Sequence, residues 1–297
     1  MKKRYIYLYL IGWWLFCVAC TGNFRDYNTD LSGITNEDLN IDDNGYGIRL
    51  GIIQQGIYFN YDYGKGKNWP FQLIQNLNAD MFSGYMHDAK PLNGGSNNSD
   101  YNMQDGWNSA MWTHVYSYIF PQIYQSENAT RDTHPALFGI TKILKVEVMH
   151  RVTDYYGPII YRHFANAEKH YQPDTQKEVY YEFFNELDSA VVALIGYIEE
   201  KPESNGFARF DILLDGKYSS WVKFANSLRL RLAMRLASIA PDKARLEIEK
   251  IKENDYGFFE RGSEKVAVST KSGYINPLGE LNLVWNETYM NASMESI

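Results

Sequence analysis

Apolar side chains recur every three or four residues through the second half of the chain, the period that keeps one face of a helix buried. Trp107, Met111, Val115 and Ile119 fall at four-residue steps and predict a helix over 106–125, with Pro121 as a kink. Pro135 sits where a helix starts, and Leu137, Ile140, Leu144, Val148 and Val152 continue as one stripe until Asp154-Tyr155-Tyr156-Gly157-Pro158 ends it. Asp174 or Thr175 caps the next helix, whose inner face is Val179, Phe183, Leu187, Val191, Leu194 and Ile198. Beyond the loop from Ser204 to Gly216, Ser219 or Ser220 opens a helix over Trp221 to Ile239, with Phe224, Leu228, Leu232 and Leu236 in line. Asp242 caps a shorter one through Ile251. These five amphipathic helices predict an all-α scaffold in which consecutive antiparallel pairs bury one stripe against the next, as in helix-pair solenoids.

The pattern is less regular elsewhere. Tyr46 to Phe59 and Pro70 to Met81 read as helices, and Thr35 to Leu39 as a short capped one. Lys90 to Asp100, rich in Gly, Asn and Ser, predicts a surface loop. Lys265 to Ser269 has the composition of a strand.

The first residues follow a different logic. Lys2-Lys3-Arg4 precedes an uncharged run from Tyr5 to Ala19, and the next residue is Cys20. A basic start, an apolar stretch and a small residue before the cut form a secretory signal. A Cys directly after the cut accepts a diacylglycerol on its thiol and an acyl chain on its amine, which together anchor firmly. Leu15 stands two positions further upstream than the usual lipobox Leu, and Cys17 takes its place. The apolar run is about fifteen residues, short of the roughly twenty that span a bilayer. Residues 1–19 are therefore expected to be a signal peptide and Cys20 the lipidated residue. Residues 20–43, polar and turn-rich, form a tether, and 44–297 a helical domain.

Composition narrows the chemistry. The net charge of -7, with no basic block after residue 4, argues against nucleic acid as a partner. The two Cys both lie in the signal region, so the mature chain has no thiol for a disulfide, a metal or a nucleophile. Gly66-Lys67 is not a phosphate loop, because Asn68 replaces the required Ser or Thr and Tyr61 the first Gly. Asn40 to Gly45 imitates the start of a calcium loop, but the twelfth position is Gly51 where a bidentate Glu is needed. The six His are scattered without metal-ligand spacing, and no Gly-x-Ser-x-Gly elbow is present. No cofactor or metal is implied. Arg229, Arg231 and Arg235 sit among leucines on one helix, and are read as buried stems with tips in water or paired to Asp and Glu. The 24 Tyr and 7 Trp are either helix-interface filling or flat platforms for a ligand.

Several segments together resemble one family. Cys20 followed by Phe24-Arg25-Asp26-Tyr27-Asn28 is similar to the lipidated Cys and Phe-x-x-Tyr-Asn entry of SusD-like (SusD/RagB) outer-membrane lipoproteins. Asn76 to Tyr85 resembles a segment of the same group; Arg151 to Tyr161 is the most specific match, and Trp221 to Arg235 nearly as good. Ile160 stands where many members carry Pro. The resemblance implies a tetratricopeptide-like helix-pair scaffold with irregular ligand-binding loops. It implies a non-enzymatic, lipid-anchored cell-surface protein of the outer membrane that captures oligosaccharides, or peptides, and passes them to a TonB-dependent SusC-like transporter. Family members are substantially longer, so the chain is expected to be incomplete at its C-terminus, with part of the ligand site in the missing portion. The competing reading is an all-helical extracellular hydrolase, since a spatial pair of carboxylates leaves no sequence motif.

Sugar rings present C–H faces to Trp and Tyr and hydroxyls to Asn and Asp. The stretch from Asp80 to Tyr101 holds that mixture, and Trp69 lies at a loop-to-helix junction before Pro70. Trp69, Asp80, Tyr85, Asn98 and Tyr101 are the expected ligand contacts. Trp107 and Trp112 are assigned to the core.

Overall fold

The computed structural model describes residues 44–59, 69–88, 90–165, 172–202, 207–260, 264–268 and 275–296. Cys20, the signal and tether segments, the helix expected over 35–39 and the Gly66-Lys67 loop lie outside the described residues.

The chain is all-α. Helix α1 spans Asn44–Gln55 and continues as a 3-10 turn, Gly56–Tyr58. Helix α2 begins at Trp69–Phe71 and runs on with π geometry through Gln72–Asp80. After a short α3, Asp105–Asn108, come α4, Ala110–His114, a π turn, Val115–Ile119, and α5, Phe120–Thr130. The main helices are α6, Pro135–Tyr156, α7, Gln176–Glu200, α8, Tyr218–Leu236, and α9, Pro241–Lys250. The C-terminal part adds α10, Pro277–Leu283, and α11, Ala292–Glu295.

The periodic stripes are where the core lies. Helix α6 is buried almost all round, from Ala136 to Thr153, as befits a central helix with neighbours on several sides. Its partner α7 starts with a capping box: the Thr175 hydroxyl accepts from the Glu178 N–H, and the Glu178 carboxylate from the Thr175 N–H. Side-chain pairings fix the directions. Lys145 of α6 meets Glu186 of α7, while Asp154 further along α6 meets the earlier Tyr180, so the two helices are antiparallel. Arg229 of α8 reaches Asp188 of α7 and Glu247 of α9, continuing the stack. Each helix therefore packs on the next, with the most extensive contact between α6 and α7, so the expected pairs merge into one continuous stack. At Gly139 an added Cβ would lie 3.0 Å from the Ala190 carbonyl oxygen, which is why α6 and α7 approach so closely there.

Phe183, Leu187, Phe224 and Leu228 are all buried, as their spacing predicts. Leu228→Ala empties a site on α8 only 1 % exposed, within the main core, and is expected to cost about 3 kcal/mol in chemical denaturation. A change near zero would place Leu228 on a surface.

Several expectations are corrected. The helix over 106–125 is interrupted, because Pro121 has no N–H to give and its ring crowds the preceding turn; the backbone widens into the π turn and restarts at Phe120. Helix α9 is opened by Pro241, with Ala240 rather than Asp242 in the capping position. Helix α8 stops at Leu236, short of Ile239. Residues 265–268 form no strand. The strands lie elsewhere: β1, Met86–Asp88, pairs antiparallel with β2, Thr288–Met290, in the register Met86↔Met290, His87↔Tyr289 and Asp88↔Thr288. The three arginines of α8 are paired as read, Arg229 with Asp188 and Glu247, Arg231 with Glu147 and Arg235 with Asp154.

Candidate functional site

The stretch from Trp69 to Tyr101 leaves the helical stack and returns to it. Trp69 starts α2 and is 40 % exposed, while the following Pro70, suited to a first turn, is buried. At the far end of α2 the carbonyl of Asp80 accepts from the Tyr85 N–H at 2.9 Å and the Ser83 hydroxyl at 3.1 Å, closing a tight turn. Gly84, with φ +71°, supplies the left-handed residue that this turn requires. The Asp80 carboxyl accepts from the Gln75 amide at 2.6 Å. Partial burial raises its pKa, opposed by the Gln75 hydrogen bond and by the positive charge of Arg151.

The turn delivers Tyr85 to the surface, 51 % exposed, just before β1. Its carbonyl accepts from the Asn291 N–H at 2.9 Å, so the C-terminal segment braces this loop from behind. The Thr288 hydroxyl donates to Asn76 of α2 at 2.9 Å and does the same one residue layer deeper.

The segment 90–100 is only partly a surface loop. Asn97 and Asn98 are buried. The Asn98 amide nitrogen lies 2.9 Å from the Leu77 carbonyl, 2.9 Å from Asn78 Oδ1 and 3.1 Å from Asn108 Oδ1, and its oxygen accepts from the Gln104 N–H at 3.0 Å. The Tyr155 hydroxyl, on α6, joins the same group through Asn78 and Asn108, each at 2.9 Å. Amides buried this deeply must be hydrogen-bonded, and this network fastens the loop to α2 and α6. Asn98, expected at the ligand, has both ends of its amide engaged by the protein.

Tyr101 stands above it, 73 % exposed, with φ +58°. Its ring stacks on Phe82, centroids 6.0 Å apart and planes 24° from parallel. Phe82 was not singled out in the sequence, although an aromatic beside a Ser-Gly turn is a usable signal. Tyr289, 45 % exposed, stands opposite His87 in the two-stranded sheet; nothing local connects residues so distant in sequence. Trp107 and Trp112 are partly buried, and Trp112 packs against the core beside Tyr116 and Tyr156. Behind the loop, burial lowers the Arg151 pKa to about 10 against the opposing charges of Glu147 and Asp80, and burial with the charge of Arg231 holds His150 near 3, neutral at pH 7. No group of His, Cys, Asp and Glu able to hold a metal occurs among the described residues.

The antiparallel helix stack thus carries exposed aromatic rings and the Asp80 carboxyl on a braced loop. The chain belongs to the SusD-like family, "Susd and RagB outer membrane lipoprotein", whose model matches residues 26–297. Its setting is accordingly the outer membrane, as a lipid-anchored cell-surface protein. A SusD homologue from Bacteroides vulgatus is similar at 44 % identity and TM-score 0.80, over 86 % of this chain and 51 % of that one. A chitin-binding SusD homologue from Flavobacterium johnsoniae is 35 % identical with TM-score 0.79, over 86 % and 52 %. One from Bacteroides uniformis is 26 % identical with TM-score 0.71, over 82 % and 50 %. The chain thus spans about half the length of these solved relatives. No curated protein matches it.

Proposed function

We propose that this protein is a non-enzymatic surface lipoprotein, anchored through Cys20, that captures oligosaccharides and hands them to a TonB-dependent SusC-like transporter. The observation that carries the reading is the exposed pair Tyr85 and Tyr101 on the braced loop, with the Asp80 carboxyl at its turn, together with the exposed Trp69 at the other end of α2. Rings of this kind offer flat faces to the C–H side of a sugar, and a half-buried carboxyl offers hydrogen-bond acceptors to its hydroxyls. Family membership supports the setting, and the chitin-binding relative supports a glycan rather than a peptide.

Chitin oligosaccharides are the first probe. Tyr101→Ala, Tyr85→Ala and Trp69→Ala should each weaken binding about threefold to tenfold, from roughly 0.5–1.5 kcal/mol per ring contact, at unchanged thermal stability. Wild-type affinity in all three, for chitin and other oligosaccharides alike, would move the site away from this loop. New reducing ends appearing during the incubation would favour the hydrolase reading instead.

The anchor is tested separately. A fatty-acid analogue supplied to cells should label the wild type and leave Cys20→Ala unlabelled, and equal labelling of both would remove Cys20 as the lipidated residue.

A further inference from the structure

The helical scaffold has a cavity that shares no residue with the aromatic loop. The C-terminal ends of α6 and α8 and the first turns of α7 line a half-open pocket of about 450 Å³, within the roughly 300–1,000 Å³ of small-molecule sites. Its walls differ in character. Ile239, which is 78 % exposed, and Leu236 offer apolar surface, while the Tyr181 ring carries the ammonium groups of Lys177 and Lys243 over it. Facing them, the Asp154 carboxylate accepts from the Tyr180 hydroxyl at 2.6 Å and pairs with the Arg235 guanidinium.

The charges in this cavity do not cancel. Asp154 is already matched by Arg235, which stays half exposed with N–H donors to spare. The Lys177 ammonium lies 5.6 Å from the centre of the Tyr181 ring and has no carboxylate partner among the described residues. One carboxylate thus stands against two cations.

We propose that this cavity binds an acidic saccharide unit, a short sugar whose carboxylate is met by Lys177. The Arg235–Asp154 pair suits adjacent sugar hydroxyls, because the guanidinium has N–H donors left and the carboxylate accepts. Ile239 and Leu236 receive the ring's C–H face. A neutral sugar lacks the carboxylate that Lys177 and the spare N–H groups of Arg235 would meet. The proposal is independent of the loop site.

The test is a titration of the whole protein with a glucuronate-terminated disaccharide and with its neutral counterpart, followed by NMR of the Ile239 methyl groups and by calorimetry. The acidic probe should saturate. Lys177→Ala should weaken it roughly two- to fivefold, as befits an exposed ion pair, and the neutral probe should be weaker by a similar factor. Ile239→Trp, at a position already in solvent, should fill the cavity and abolish binding without loss of stability. Tyr101→Ala should leave acidic-probe binding unchanged, which separates failure here from failure of the loop reading. Absence of a saturable shift, equal affinity for the neutral probe, indifference to Lys177→Ala, or loss of binding in Tyr101→Ala would each overturn the proposal.

Discussion

Lys145→Ala is expected to cost about 4 kcal/mol of folding stability, because removing one member of a buried ion pair strands the other. The Lys145 ammonium, 9 % exposed as a residue, donates to Glu186 at 2.6 Å and lies 3.5 Å from Glu127. Burial pushes its pKa down, and the charges of Glu186 and Glu127 more than reverse this, leaving it above the ordinary lysine value. The Tyr161 hydroxyl donates to the second oxygen of Glu186, so the network joins the α6–α7 contact to the segment that links those helices. Lys142 lies 3.5 Å from Glu186 and would retain part of the charge balance in the variant. Replacing the pair together, Lys145→Met with Glu186→Leu, should cost less than the single change, because no charge is left unmatched. Guanidinium denaturation of the three proteins checks the ordering. A single variant as stable as the wild type would mean that water reaches Glu186.

Asp211→Ala should produce a loss of similar size, about 4 kcal/mol, by leaving several buried donors without an acceptor. One carboxylate oxygen accepts from the N–H groups of Leu213 at 2.9 Å and Leu214 at 3.1 Å. The other accepts from Gly216 N–H at 2.9 Å and the indole N–H of Trp221 at 2.8 Å. The loop before α8 is wound around this side chain, and it cannot easily find another shape. Gly216 has φ +74°, and an added Cβ there would lie 2.6 Å from the Ala208 Cα. Gln54 of α1 holds the same loop from outside, donating to the Phe210 carbonyl at 3.1 Å and accepting from Ile212 N–H at 2.8 Å. Asp211→Asn should lose less, since its amide oxygen still accepts on one side while its NH2 faces donors on the other. Trp221 is fully buried, so its fluorescence reports the change: a red shift at reduced midpoint is expected for Asp211→Ala. An unshifted spectrum with an unchanged midpoint would contradict the account.

The scaffold was legible in the chain because its causes are local. Stripes such as Val179, Phe183 and Leu187 repeat within a turn or two, Thr175 and Glu178 form a cap three residues apart, and Pro135 opens α6 where it stands. The composition of the loop also announced Tyr85 and Tyr101 as surface residues, since a polar, Gly-rich stretch has no stripe with which to bury them. Tertiary structure decided what depends on distant partners. Asn98 has the same side chain as any loop asparagine, and only the approach of Leu77, Asn78 and Asn108 makes burying it affordable. Strands β1 and β2 are each too short to show a period, and each exists because the other supplies its hydrogen bonds. Lys265 to Val268 has the composition of a strand but pairs with no strand among the described residues, Val268 donating its N–H to the Tyr58 hydroxyl instead. The buried charges of Lys145 and Glu186, placed on separate helices, are tolerable only when the α6–α7 contact brings them together. Periodicity sets which face of each helix is apolar, but which charge meets which across that face is a property of the assembled stack.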